Sequence, residues 1–119
     1  RYKTLFEENR IIALGTDFPV EEINPMHTFY AAVFRKNFQN KPLGGFQINE
    51  SLSRIEALKG MTIWAAIANF EEIEKGTLEI NKCADITILN TDLLNCEEEK
   101  VLSSKVNYTI VDGEIVYEN

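Results

Sequence analysis

The rhythm of apolar positions changes along this chain. Ile11-Ile12-Ala13-Leu14 is a short unbroken apolar run, the pattern of a strand buried on both faces, as in parallel sheets. Ahead of it, Tyr2 to Asn9 carries Leu5 and Phe6 on one face and reads as the end of a helix. Behind it, Gly15 to Asn24 reads as a turn region. Asn24-Pro25 then predicts a helix start, because Asn accepts bonds from the first free N–H groups and Pro is preset for the first helical position. Met26, Phe29, Tyr30, Val33 and Phe34 follow at helical spacing and make one apolar face. Asn37 to Asn49 is polar, with Pro42 and Gly44-Gly45, and reads as a loop.

Ser53-Arg54-Ile55-Glu56 is a capping box that opens another helix. Gly60 fits a helix stop, and Thr62 is placed to cap a short helix through Ile63 to Ala68. Glu71, Glu72, Glu74 and Lys75 form a charged linker that ends at Gly76. Beyond it the period becomes that of strands. Ile86 to Leu89, Val106 to Val111 and Glu114 to Tyr117 are each predicted extended, the last two joined by Asp112-Gly113 as a two-residue hairpin turn of type I′. Asn95 to Lys100 reads as an acidic surface stretch. The run at 11–14 has no neighbour among the first 70 residues with which a parallel sheet could form, so its partner strands are expected upstream.

Asp17 is the candidate that this pattern singles out. It follows the apolar run through Gly15-Thr16, which would place a carboxylate at the carboxyl edge of a sheet, where α/β sheets and barrels carry their chemistry. The opposing reading is a turn-capping Asp ahead of Phe18-Pro19. Thr16 reads as turn chemistry. His27 reads as a helix-start histidine rather than a ligand, since it is the only histidine and no second ligand stands near it. Phe18, Tyr30 and Trp64 read as core before they read as pocket lining, and Glu21 and Glu22 as solvated.

Composition narrows the classes. The 119 residues suit one domain, with 45% apolar and 26% charged residues as in a globular chain. A net charge of −7, from 12 basic and 19 acidic residues, argues against nucleic acid and anionic membrane as partners. No apolar stretch approaches the roughly 18 residues of a membrane span. Cys83 and Cys96 form no CxxC pair and read as free thiols, which favours a reducing, cytoplasmic setting. The chain opens Arg1-Tyr2-Lys3 with no initiator Met and no signal-peptide core, so the natural start is expected upstream.

Several segments together resemble the metal-dependent amidohydrolases, in particular the amidohydrolase family 3 branch. They are Leu14-Gly15-Thr16-Asp17-Phe18-Pro19-Val20-Glu21, the helix from Asn24-Pro25-Met26 to Arg35, Ser53 to Thr62, Phe70 to Glu79, Ala84-Asp85-Ile86-Thr87-Ile88-Leu89 and Thr109 to Tyr117. Asn81 stands where the family commonly has Gly, and Asn is the next best residue for a left-handed turn. Asp85 reads as a turn or strand-start residue.

The resemblance implies an α/β fold class: the last strand and following helices of a (β/α)8 hydrolase barrel over residues 1–70, and the C-terminal strands of its small β-sandwich over residues 71–119. It implies an enzyme that hydrolyses carbon–nitrogen bonds of a small-molecule substrate with a divalent metal, zinc being favoured. Asp17 is the one position matching the family's metal-ligating and catalytic set. No His-x-His is present, so this chain alone is expected to be inactive and to need the rest of the barrel as its partner. Two rival readings stand beside it. One is a non-catalytic α+β module that associates with other chains or with its own copies. The other is a barrel relative that has lost its metal site and only binds a ligand.

Overall fold

The computed structural model describes residues 1–119. In chain order it contains α1 (Tyr2–Asn9), α2 (Pro25–Phe34), a 3₁₀ turn (Ile48–Glu50), α3 (Arg54–Gly60), α4 (Ile63–Ala68), β1 (Ile86–Leu89), α5 (Glu98–Val101), β2 (Val106–Val111) and β3 (Glu114–Glu118). The protein is a small α/β chain whose sheet is a three-stranded antiparallel meander, ordered β1-β2-β3. No helix is long and apolar enough to cross a membrane.

The helix starts form as local chemistry dictates. Asn24 is extended and its side chain accepts from Met26 N at 3.0 Å, with Pro25 at the first helical position. At α3 the capping box closes in both directions: Ser53 Oγ accepts from Glu56 N at 3.2 Å, and Glu56 Oε2 accepts from Ser53 N at 2.7 Å. α4 departs from expectation. Thr62 makes no cap bond; its hydroxyl donates back to Leu58 O at 2.8 Å, and so closes the end of α3 instead. The 3₁₀ turn lies in and just past the region expected to be loop throughout.

The run Ile11–Leu14 is not a strand. It is extended, but no residue of 11–16 joins the sheet. Ile12 and Leu14 are half-buried against the helical core while Ile11 and Ala13 face solvent. Burial on both faces is not reached within this chain, for a physical reason. A central parallel strand needs a hydrogen-bonding neighbour on each side, and the three strands of this chain pair among themselves.

What holds the run is α3. Leu14 N donates to Gly60 O at 2.9 Å, the one backbone bond linking residues 11–16 to another element. Gly60 is the last residue of α3 and is buried. A Cβ there would lie 2.8 Å from the Leu14 side chain and 2.9 Å from Ile12 O. Glycine is thus required at 60 by close approach, and not by a left-handed helix stop.

The hairpin matches its sequence signal. Asp112 and Gly113 both have positive φ, 49° and 82°, as a type I′ turn demands. β2 and β3 pair from Tyr108↔Glu118 to Val111↔Glu114, with an irregularity between Thr109 and Ile110. β1 and β2 pair from Ile86↔Ile110 to Leu89↔Val106, with an irregularity after Ile88. Asp85 ties the turn back to the start of β1 by accepting from Asp112 N at 2.9 Å, the structural role expected of it. Asn81 takes the left-handed conformation, φ 74°.

The core joins both halves of the sequence. Met26, Phe29, Tyr30 and Ala32 of α2 pack with Leu52 and Ala57 around α3, and with Leu93 and Val101 from beyond residue 71. Phe6 of α1 stacks on Trp64 of α4 with ring centres 5.1 Å apart. Of the three aromatic residues expected in the core, Tyr30 and Trp64 are buried and Phe18 is exposed.

Candidate functional site

Asp17 sits on the turn between the Leu14 anchor and the Asn24 cap. Its φ is 51°, the left-handed region that Asp and Asn tolerate better than most residues. Its carbonyl accepts from Val20 N at 2.8 Å, which closes the turn. The carboxylate points outward: the residue is exposed and takes part in no ion pair. Phe18, Val20 and Ile23 on the same loop are also exposed. Because the run before it is not a strand, Asp17 does not stand at the edge of the chain's own sheet.

Nothing else in the chain converges on it. His27 lies at the start of α2, 3.7 Å from Glu22 and stacked on Phe38 with ring centres 5.2 Å apart. This is the helix-start role expected of it. No group of three or more His, Cys, Asp or Glu side chains is placed to hold a metal ion. Asp17 therefore offers one oxygen donor from a side chain with no competing partner. That suits a single ligand to a hard or borderline cation and falls short of a closed site. Cys83 and Cys96 are both free thiols.

A groove of about 500 Å³ runs along α2 near the Asp17 loop, with Gly15, Glu22, His27, Arg35 and Phe38 among its lining residues. Asp17 is not one of them. A smaller polar cleft lies at α1, where Glu50 accepts from Thr4 N at 3.1 Å and from its hydroxyl at 2.9 Å; these bonds hold the Glu50 carboxyl below its ordinary range.

One polar cluster was not expected from the sequence. Glu98 Oε1 accepts from Lys36 Nζ at 2.7 Å and from the Tyr30 hydroxyl at 2.6 Å. Lys36 is only 14% exposed along its side chain. The bonds from Lys36 and then Tyr30 draw the Glu98 carboxyl below its usual range, while burial, followed by the Glu98 contact, pushes the Tyr30 phenol up. Close by, Arg54 Nη1 donates to Leu93 O at 2.8 Å, and its guanidinium lies over the Phe34 ring. The stretch 95–100, expected to be plain acidic surface, is thus partly a tie between α5 and α2. Its only local signal is a run of acidic residues, which is silent about a partner 62 positions away.

The sequence model of the amidohydrolase family matches residues 1–117. The chain belongs to that family. Relatives of this amidohydrolase-family chain include Protein LONG AFTER FAR-RED 3 of Arabidopsis thaliana, 36% identical over 98% of this chain and 19% of that protein. An N-substituted formamide deformylase of Arthrobacter pascens is 30% identical over 90% of this chain and 19% of its own length. A 5-methylthioadenosine/S-adenosylhomocysteine deaminase of Caldanaerobacter subterraneus subsp. tengcongensis is 31% identical over 90% of this chain and 26% of its own. The chain spans about a fifth to a quarter of the length of these relatives. No solved structure gives a significant match.

Proposed function

We propose that the protein is a metal-dependent hydrolase that cleaves a non-peptide carbon–nitrogen bond of a small molecule, and that Asp17 is the residue of this chain that meets the reacting centre. The observation that carries the reading is the family match over residues 1–117. Within that match, Asp17 is an unpaired, outward-facing carboxylate on a turn fixed at both ends. Two relatives are named for removing a formyl group and an amino group, and the reaction class is taken from them.

Asp17 would offer one ligand oxygen to a divalent ion, zinc being favoured, which when bound would lower the pKa of water towards about 7, and the Asp17 carboxylate could carry a proton from the attacking water to the departing nitrogen. Its exposure leaves both oxygens available for these roles. The remaining ligands lie outside this chain, so the chain alone is inactive.

We further read residues 1–70 as the end of a (β/α)8 barrel, with Ile11–Leu14 as its last strand, and residues 71–119 as strands of an adjoining β-sandwich. Two features support this. The backbone of 11–14 is extended with its pairing groups largely unused, and such groups seek partners. β3 is an edge strand exposed along its whole length. The same exposed apolar surface favours a second reading, a non-catalytic α+β module that associates with other chains.

A hydrolysis screen separates the two. The full-length protein is assayed on N-substituted amides and amino-substituted heterocycles with zinc or manganese added, and with a chelator as control. Turnover that a chelator abolishes and metal restores is the expected result. Absence of turnover on every carbon–nitrogen substrate, with metal bound, would overturn the enzyme reading.

A further inference from the structure

We propose that Gly60 is a positioning residue for Asp17: the close approach of α3 to Ile12–Leu14 at this glycine sets where the Asp17 carboxylate stands. The inference rests on the reading of Asp17 as the reacting carboxylate.

Three observations carry it. First, Leu14 N to Gly60 O, 2.9 Å, is the one backbone bond between residues 11–16 and any other element of this chain. Asp17 lies three residues beyond that anchor, and the next fixed point is the Asn24 cap. Second, the contact admits no side chain. A Cβ at 60 meets Leu14 Cγ and Cδ1 at 2.8 Å and the Ile12 carbonyl oxygen at 2.9 Å. A side-chain end can rotate away from such a clash, but a backbone carbonyl cannot, so a methyl group at 60 must force the run and α3 apart. Third, Gly15 has nothing within 4 Å of where its Cβ would be, so no contact at Gly15 holds the turn in place once the run before it moves. A displaced run carries the carboxylate with it, and a misplacement of about 1 Å in a reacting group can cost about 100-fold in rate.

The test is a double-mutant cycle in the full-length protein, using Gly60→Ala, Asp17→Asn and the pair. It reads kcat and KM on the best substrate of the hydrolysis screen, and zinc retained after gel filtration. Gly60→Ala is expected to lower kcat about 10- to 100-fold with KM within about twofold, and to lower retained zinc. In the Asp17→Asn background it should change neither, because residues that act through one another are not additive. A merely structural glycine would give additive losses, and that result overturns the proposal. If Gly60→Ala does not fold, Leu14→Ala loosens the same contact from the other side and must show the same non-additivity. If Asp17→Asn abolishes turnover while Gly60→Ala leaves kcat and zinc unchanged, this inference alone fails. If Asp17→Asn is fully active, the reading of Asp17 fails and takes this inference with it.

Discussion

Glu98 shows how much a single side chain can decide. It holds Tyr30 of α2 and Lys36 just beyond that helix, and both bonds are formed with its charged state. A carboxylate drawn below its ordinary range contributes stability above the ordinary glutamate value and loses that contribution as pH falls through the lowered, folded-state value. Acid melts of the wild type should therefore lose stability below about pH 4.5 more steeply than those of Glu98→Gln, which removes this titration. At neutral pH the substitution should cost on the order of 1–2 kcal/mol, allowing for partial solvent screening, as read from urea unfolding. Equal acid slopes in the two proteins would contradict the assignment. This cluster was not legible from the sequence, since Lys36 and Glu98 meet only through the tertiary fold. Asn81 and Asp85 were legible, because their roles depend on backbone a few residues away or on a turn their own strand pair creates.

Among the elements, features closed within one turn of chain formed as expected. The Asn24 cap, the Ser53–Glu56 box and the Asp112-Gly113 turn each need only nearby partners. Ser53→Ala should cost about 1 kcal/mol, read as a lower denaturation midpoint at unchanged m-value. An unchanged midpoint would show that the box is not holding α3. The run 11–14 is left unpaired within this chain for the complementary reason. Its apolar pattern is real, and Ile12 and Leu14 do face the core, but pairing is a property of neighbours that no local pattern contains. Thr62 is a smaller case of the same kind: a capping residue by type, it spends its hydroxyl on the helix behind it.

For the whole molecule, the decisive fact is how little is buried. Only 11 of 119 residues are, whereas Phe70, Ile73, Leu78 and Ile80 are 92%, 83%, 79% and 90% exposed within one short stretch. Apolar surface left open on this scale calls for a covering partner. The isolated 119-residue chain should associate, with a mass that rises with concentration in sedimentation equilibrium. A monodisperse monomer over the whole range would count against it. The chemistry is as sparse, since no group of three or more His, Cys, Asp or Glu side chains gathers anywhere in the chain.

If Asp17 belongs to the reacting centre of a hydrolase, the Asp17→Asn variant of the full-length protein must show it. With turnover measured on a substrate the wild type hydrolyses, and folding checked by circular dichroism, the account predicts a loss of several orders of magnitude in kcat with the fold unchanged, because the substitution removes both a ligand charge and a proton carrier. Near-normal turnover in a folded Asp17→Asn protein would contradict it.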